Sequence, residues 1–151
     1  MNPRVLVECI RSSQQDELML YKPLRFRRRT RSNACDFNEF LQALQSSQTI
    51  RTVTCKSQLR LGISENEWVL LVKALGRMKN IQRLEFYCRR GSRDFHPFQA
   101  VADAVNNAHS LHNLMITPGA FSRDLSGLIA LVDALREHTT LRKFTWFDMC
   151  P

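Results

Sequence analysis

Residues 111–116 read Leu-His-Asn-Leu-Met-Ile: an apolar residue, two variable residues, and then two apolar residues separated by one variable position. The alternation around Leu114 and Ile116 predicts a short β-strand. Thr117-Pro118-Gly119 then interrupts the pattern, as a loop does. A helical pattern follows, with apolar residues at i, i+3, i+4 and i+7 in Leu128, Leu131, Val132 and Leu135. The segment therefore predicts a strand, a loop and a helix, in that order.

The same pattern occurs four times along the chain at nearly constant spacing. The copies begin at Ile50, Ile81, Leu111 and Leu141. An alanine precedes each copy at a matching distance, in Ala43, Ala74, Ala104 and Ala134. A fixed period of this length is typical of stacked-repeat proteins, in which a small unit buries its apolar side only against its neighbours. Such proteins usually act as binding surfaces.

The repeats predict an α/β domain of about five strands and four helices over residues 21–151. The predicted helices are 37–46, 65–78, 95–108 and 125–137, and the loops between strands and helices are 27–35, 56–63, 87–93 and 117–123. Asp36, Ser64 and Asp124 suit helix N-caps, Glu67 completes a capping box with Ser64, and Pro97 fits a first helical turn.

The start of the array is predicted from weaker signals. The first strand is placed at Leu24–Phe26, after Tyr21, and residues 1–20 are read as an N-terminal cap or extension. Within that cap, one apolar helix face is formed by Val5, Leu6, Cys9 and Ile10. The alternative architecture is an all-helical array, for which the observed period is short.

The pattern L-x-x-L-x-L, followed by a loop and a helix carrying Ala-Leu, resembles a leucine-rich repeat of the ribonuclease-inhibitor-like kind over about residues 20–147. The resemblance implies a short solenoid, or horseshoe, with parallel strands on the concave face and helices on the convex face. It also implies a non-catalytic protein-binding function. Family members carry Asn or Cys at the position after the strand where this chain has Gln58, Arg89, Gly119 and Met149.

The variable strand positions of the resembled fold form a ladder that would bind a partner. The ladder residues singled out are Arg51, Arg83, Glu85, Tyr87, His112, Met115, Arg142, Lys143 and Phe147. Arginine and aromatic residues are enriched in protein interfaces.

The strand-to-helix loops contain ten of the 22 basic residues and no acidic residue. This basic edge consists of Arg27, Arg28, Arg29, Arg31, Lys56, Arg60, Arg89, Arg90, Arg93 and Arg123. Together with the net charge of +8 it favours a protein partner with an acidic surface. The alternatives are phosphate contacts with nucleic acid and a solvated edge with no specific role.

The remaining signals exclude several classes of function. No segment approaches the roughly 18 apolar residues of a membrane span, and five cysteines without a C-x-x-C pair indicate a reducing, intracellular setting, cytoplasmic or nuclear. No phosphate-binding or nucleophile motif occurs, so no enzymatic activity, cofactor or metal is expected. Cys55 and Trp68 are interpreted as core residues and Cys88 as accessible.

The C-terminal segment predicts an open edge of the sheet. Phe144 and Trp146 occupy strand positions close to the end of the sequence, and Phe147 follows them. An unpaired parallel edge is prone to association. We therefore expect self-association or further repeats at this edge.

Overall fold

The computed structural model describes residues 2–12, 14–26, 36–119 and 124–147. In these ranges the chain forms six helices and five strands. In chain order they are α1 (Pro3–Arg11), β1 (Glu17–Leu20), α2 (Phe37–Ser46), β2 (Thr52–Cys55), α3 (Gln58–Leu61), α4 (Glu65–Gly76), β3 (Arg83–Cys88), α5 (Pro97–Asn107), β4 (Asn113–Pro118), α6 (Leu125–Glu137) and β5 (Lys143–Trp146).

The five strands form one parallel sheet in the order β1-β2-β3-β4-β5. The helices follow the same order, since α1 packs on α2, α2 on α4, α4 on α5 and α5 on α6. Each strand therefore lies beside the next strand of the sequence, and each long helix lies beside the next long helix. The predicted α/β class is confirmed.

The helix boundaries follow the capping residues. α2 and α6 have the predicted bounds, whereas α4 ends at Gly76 and α5 begins at Pro97, slightly inside the predicted ends. Asp36 accepts a hydrogen bond of 2.7 Å from the Glu39 N–H. Ser64 and Glu67 form the predicted capping box, which satisfies two N–H groups that the helix itself leaves unpaired.

The prediction of the first strand is wrong. β1 lies at Glu17–Leu20, and Leu18 pairs with Val53. These two residues are further apart in sequence than the later register partners, such as Val53 with Leu84 and Leu84 with Leu114. Assuming a constant period moved the predicted strand toward the C-terminus. The sheet consequently begins before residue 21, inside the segment predicted as a cap.

Leu24 and Phe26 instead hold the chain between β1 and α2 against the core. Leu24 is buried, and its N–H donates to the Leu61 carbonyl at 2.7 Å. The Phe26 ring packs edge-to-face on Phe37, with a centroid separation of 5.1 Å. Both side chains contribute apolar burial without joining the sheet.

The N-terminal segment does form a helix, as its apolar pattern indicates. The buried residues of α1 are Pro3, Leu6, Val7 and Ile10. Val5, which was assigned to the same face, is exposed. The predicted helix is confirmed, and its buried face is rotated from the predicted one.

The core lies between the sheet and the helices. Two sheet rows are buried across four strands: Leu18, Val53, Leu84 and Leu114 in one, Leu20, Cys55, Phe86 and Ile116 in the other. Trp68 of α4 is fully buried, as predicted, and its indole N–H donates to the Lys56 carbonyl at 3.0 Å. Burial of each large apolar side chain contributes about 1.5–3 kcal/mol.

Small residues set the spacing between helices. The repeated alanines Ala43, Ala74, Ala104 and Ala134 are all buried. A Cβ atom added to Gly76 would lie 2.5 Å from the Ala104 Cα, so α4 and α5 approach each other only because residue 76 has no side chain. The helix packing thus depends on small residues at these positions.

Side chains also link the turns that lead from helices into strands. Asn80 donates to the Gln48 carbonyl at 2.7 Å, Ser110 to the Lys79 carbonyl at 2.9 Å, and Thr140 to the His109 carbonyl at 2.9 Å. Each bond joins one turn to the turn of the next repeat. At the opposite end of the strands, the predicted loop 56–63 is wrong in part, because α3 forms there and buries Gln58.

Candidate interaction surface

Alternate strand residues point away from the helices and form three rows, which we call the open face. The first row is Glu17, Thr52, Arg83, Asn113 and Lys143, and the second is Met19, Thr54, Glu85, Met115 and Thr145. The third follows the ends of β1, β2 and β5 and comprises Tyr21, Lys56, Tyr87, Thr117 and Phe147. The open face therefore continues across all five strands.

The edges of the open face carry large exposed apolar side chains. Met19 and Tyr21 are exposed on β1 and just after it, and Phe147 is exposed just after β5. Met115 is half-buried between them, on β4. The face therefore offers aromatic and methionine contact area, which suits an apolar patch on a partner.

Arg83 and Glu85 form an ion pair within the predicted ladder. The Arg83 Nε atom lies 2.9 Å from Glu85 Oε1, and the Thr54 hydroxyl donates to Glu85 Oε2 at 3.2 Å. Only 13% of the Glu85 side chain is exposed. Because its carboxylate is already engaged, Glu85 orients Arg83 rather than offering a negative charge to a partner.

Lys56 joins the predicted ladder to the predicted basic edge. It follows β2, and its Nζ atom lies 3.2 Å from the centroid of the Tyr87 ring. A cation over an aromatic face is attracted by the ring quadrupole, with a strength of about 0.5–1 kcal/mol at a partly exposed site. The two predicted groups of residues thus meet at this contact.

Three ladder residues lie immediately before the strands. The Arg51 carbonyl accepts from the N–H groups of Gln82 and Arg83 at 2.7 and 3.0 Å. The His112 carbonyl accepts in the same way from Arg142 and Lys143 at 2.8 and 3.0 Å. Arg51, His112 and Arg142 therefore line the N-terminal border of the open face, while the other predicted ladder residues lie within its rows.

Glu17, Met19 and Tyr21 were missed because the first strand was predicted too late in the chain. The signal that identifies them is the alternation Leu18-Met19-Leu20-Tyr21, in which two buried leucines flank an exposed methionine. Regular spacing does not locate this segment, because its distance from the next repeat is larger than the distances between the later repeats.

The basic edge is only partly within the described residues. Arg27, Arg28, Arg29, Arg31 and Arg123 lie outside them. Arg60 is exposed on α3. Arg89, Arg90 and Arg93 are exposed around a cavity of about 380 Å³ that Phe95 and Pro97 also line. No ion pair involves these three arginines within the described ranges, so their charges remain available to an acidic group.

Two carboxylates hold the loop that carries these arginines. Glu65 of α4 accepts from the Ser92 N–H at 2.6 Å. Asp124 is buried and accepts from Phe98 and Gln99 at the start of α5, at 3.0 and 3.1 Å, and from Gly127 of α6 at 3.0 Å. One side chain thus caps two helices, in line with the structural role predicted for the acids at helix starts.

The thiols of Cys55 and Cys88 are buried, and burial raises the pKa of both. Desolvation raises the pKa of Cys55 from its ordinary value of 9.0 to about 12 and raises the pKa of Cys88 as well, with the charges of Cys55 and Asp124 adding to the latter shift. The prediction that Cys88 is accessible is wrong, because Cys88 is the last residue of β3 and points into the core.

The described ranges contain neither a candidate metal site nor a candidate membrane span. Histidine, cysteine and carboxylate side chains there do not converge in a group of three or more that could hold a metal ion. His96, which lies close to the arginine loop, bonds Asp124 at 3.0 Å. None of the helices in these ranges has the length and apolar character needed to cross a membrane.

A scan against protein-family models gives no match for the chain, and a search of curated proteins gives none either. The surface itself therefore carries the functional interpretation.

Proposed function

We propose that the chain is a short leucine-rich-repeat-like solenoid, a horseshoe with the open face on its concave side, and that it binds another protein there. The sequential parallel strands and the sequential packing of the helices support this architecture. A non-catalytic role inside the cell, in the cytoplasm or nucleus, agrees with the free thiols of Cys9, Cys55 and Cys88.

The observation that carries the proposal is the composition of the open face. Tyr87 and Met115 lie near its centre, Arg83 is oriented by Glu85, and exposed apolar residues continue to both edges. Tyrosine, methionine and arginine are the residue types enriched at protein interfaces. Central aromatic and arginine side chains usually carry most of the binding energy.

The basic edge would act on the rate of encounter more than on the stability of the complex. Arg89, Arg90 and Arg93 follow the C-terminal end of β3, a few residues after Tyr87 in the chain. Exposed charges at the border of an interface mainly accelerate association with an oppositely charged surface. The partner would therefore carry an acidic patch beside an apolar centre.

Nucleic acid is the second candidate, favoured by Arg89, Arg90 and Arg93, which form no ion pair with any described residue. Two features weigh against it. Glu17 places an exposed carboxylate on the open face, and Tyr87 is already covered by Lys56 on one side, which hinders the stacking of a base.

A pull-down from a cell lysate, with and without nuclease, tests the proposal. The face variant is Tyr87→Ser with Met115→Ser, and the control is Leu59→Ser with Leu70→Ser, which removes exposed apolar side chains from α3 and α4 instead. We expect a discrete protein that persists after nuclease treatment. Its affinity, measured by calorimetry, should fall at least about tenfold with the face variant and stay unchanged with the control.

Two results would contradict the proposal. Loss of all capture after nuclease treatment would favour nucleic acid, with a steep decrease of affinity as salt rises. Equal capture by the native chain and the face variant would remove the open face as the binding site. Circular dichroism of both variants checks that they are folded.

A further inference from the structure

β5 exposes apolar side chains at positions that are buried in the preceding strands. Phe144 shares a sheet row with Leu114, and Trp146 shares one with Ile116. Phe144 and Trp146 are each 41% exposed, whereas their row partners are 1% and 0% exposed. The difference cannot come from residue type, because large aromatic side chains gain a great deal from burial.

The helix that precedes β5 shows the same difference. Val132 of α6 is 49% exposed, whereas Ala102 of α5 and Val72 of α4, at matching repeat positions, are buried. Leu125 and Ile129 are exposed on the same helix. Phe95, which matches Leu125, is buried as well, whereas Gln99, which matches Ile129, is exposed. The changed burial therefore concerns Leu125 and Val132, and no described helix follows α6. Together α6 and β5 therefore leave several apolar side chains exposed at this end of the molecule, which we call the end surface.

The opposite end of the molecule has a groove of matching chemistry. The groove lies between α1 and β1, has a volume of about 490 Å³, and is lined in part by Val5, Leu6, Leu18 and Met19. α1 leads into β1 as α6 leads into β5. An α1–β1 unit placed after β5 would therefore fill the position beside α6 and β5 where no described helix lies. An α1 from another molecule would continue the packing order α4, α5, α6.

The charges at the two ends are opposite and fall at matching register positions. Asp16 and Glu17 lie at the start of β1, and Arg142 and Lys143 lie at the start of β5. Glu17 and Lys143 belong to the same row of the open face. All four side chains are exposed, and none forms an ion pair within the described ranges.

We propose that the end surface of α6 and β5 binds the α1–β1 end of a second copy of this chain, head to tail. In this arrangement β5 pairs in parallel with β1 of the next copy, α1 of that copy covers Phe144 and Trp146, and Arg142 and Lys143 face Asp16 and Glu17. A second copy satisfies the apolar and the charged features at once. A two-fold contact between two β5 ends would bring basic residues to both sides and leave Asp16, Glu17 and the apolar groove unused.

The contact is heterologous, so each copy keeps one open end and the assembly grows beyond a dimer. Sedimentation equilibrium of the full chain should show an average mass that rises steadily with concentration and does not level off at two copies. A mass that stays at one copy up to about 500 µM would overturn the proposal. The dissociation constant of the contact would then be millimolar or weaker. In that case the end surface belongs to some other occupant.

Two end-blocked variants distinguish this geometry from other modes of association. Val132→Glu with Trp146→Glu blocks the C-terminal end, and Val5→Lys with Glu17→Lys blocks the N-terminal end. All four side chains are exposed, so both variants should fold, which circular dichroism checks. Each variant alone should be monomeric, and an equimolar mixture should form a dimer that stops at two copies.

A discrete dimer of either variant alone, or a mixture that stays monomeric while the native chain associates, would overturn the head-to-tail contact. A charge exchange provides a second check. Arg142→Glu with Lys143→Glu should weaken association at least about tenfold, and mixing with Asp16→Lys and Glu17→Lys in the other copy should restore it. If the mixture of the two charge-exchanged variants does not associate, the proposed register between β5 and β1 is wrong.

Discussion

The two edge strands of the sheet occupy equivalent positions and differ in their burial. Leu18 and Leu20 of β1 are buried, while Phe144 and Trp146 of β5, in the same two rows, are exposed. In the chain, α1 precedes β1 and α2 follows it. α6 precedes β5 in the same way, but no described helix follows β5. Burial in this fold is therefore set by the helices on both sides of a strand rather than by the residue in the strand.

The same comparison distinguishes residues that stabilise the fold from residues that are available for binding. The central strands β2, β3 and β4 bury every core-facing residue apart from their ends, and their open-face residues are polar, aromatic or methionine. The edges retain apolar side chains that no described element covers. Changes at matched positions should therefore produce effects of different size.

The largest difference is expected for Phe86→Ala compared with Trp146→Ala. Phe86 is fully buried and packs edge-to-face on Trp68 at 6.4 Å, so its removal leaves a cavity and should lower the free energy of unfolding by about 3–5 kcal/mol. Trp146 lies in the same row but is half exposed, resting on Phe98 at 5.7 Å. Its removal should cost about 1.5 kcal/mol. Urea denaturation of dilute protein measures both, and equal losses would contradict the comparison.

The next effect concerns the junction between α5 and α6. Asp124→Ala removes a buried carboxylate that caps both helices and should cost about 3 kcal/mol, because several N–H groups lose their acceptor. Asp36→Ala is the matched variant at an exposed N-cap and should cost about 1 kcal/mol. Thermal unfolding followed by circular dichroism compares them; a larger loss for Asp36→Ala would be inconsistent with the double cap.

A third effect is the dependence of stability on alkaline pH. Cys55 has an ordinary pKa of 9.0 when unfolded and about 12 when folded, so between these values the unfolded chain releases a proton that the folded chain keeps. Stability should therefore fall as pH rises above 9, by about 1.4 kcal/mol per pH unit for this thiol. Cys55→Val should remove that share of the slope in urea titrations from pH 8 to 10.5. An unchanged slope would contradict the burial of the thiol.

The smallest effect is expected at the contact between Lys56 and Tyr87. Lys56→Met keeps the length of the side chain and removes its charge, and it should cost about 0.5–1 kcal/mol. Lys22→Met is a matched control, because the Lys22 Nζ atom lies 5.4 Å from the Tyr21 ring centroid at the exposed edge of the sheet. Urea midpoints should shift for Lys56→Met and stay within error for Lys22→Met. Equal shifts would show that the central contact has no special strength.

The sequence predicts the central repeats well because their period is constant. Apolar residues at fixed spacing locate β2 to β5, and capping residues such as Ser64 locate the helix starts closely. The predicted position of the first strand is wrong because a longer segment separates β1 from β2, and a constant period does not account for it. Alternation at Leu18 and Leu20 was the better local signal.

The open face was predictable as a set of positions, whereas its contacts were not. The alternation along the strand places Arg83, Glu85 and Tyr87 on one surface, and the observed register agrees. The cation–π contact of Lys56, the ion pair of Arg83 and the double cap of Asp124 depend on side-chain directions across two repeats, which spacing along one repeat does not specify. The burial of Cys88 follows from β3 extending further than its pattern indicated.

Hydrogen exchange of individual backbone amides tests most directly whether each repeat depends on its following neighbour. Amides of β2, β3 and β4 should be strongly protected at all protein concentrations. Amides of Phe144 and Trp146 alternate with those that bond β4 and point to the open edge, so they should exchange fast in dilute protein and slow markedly as concentration rises. Protection of these two amides in dilute protein, or fast exchange at every concentration, would contradict the account.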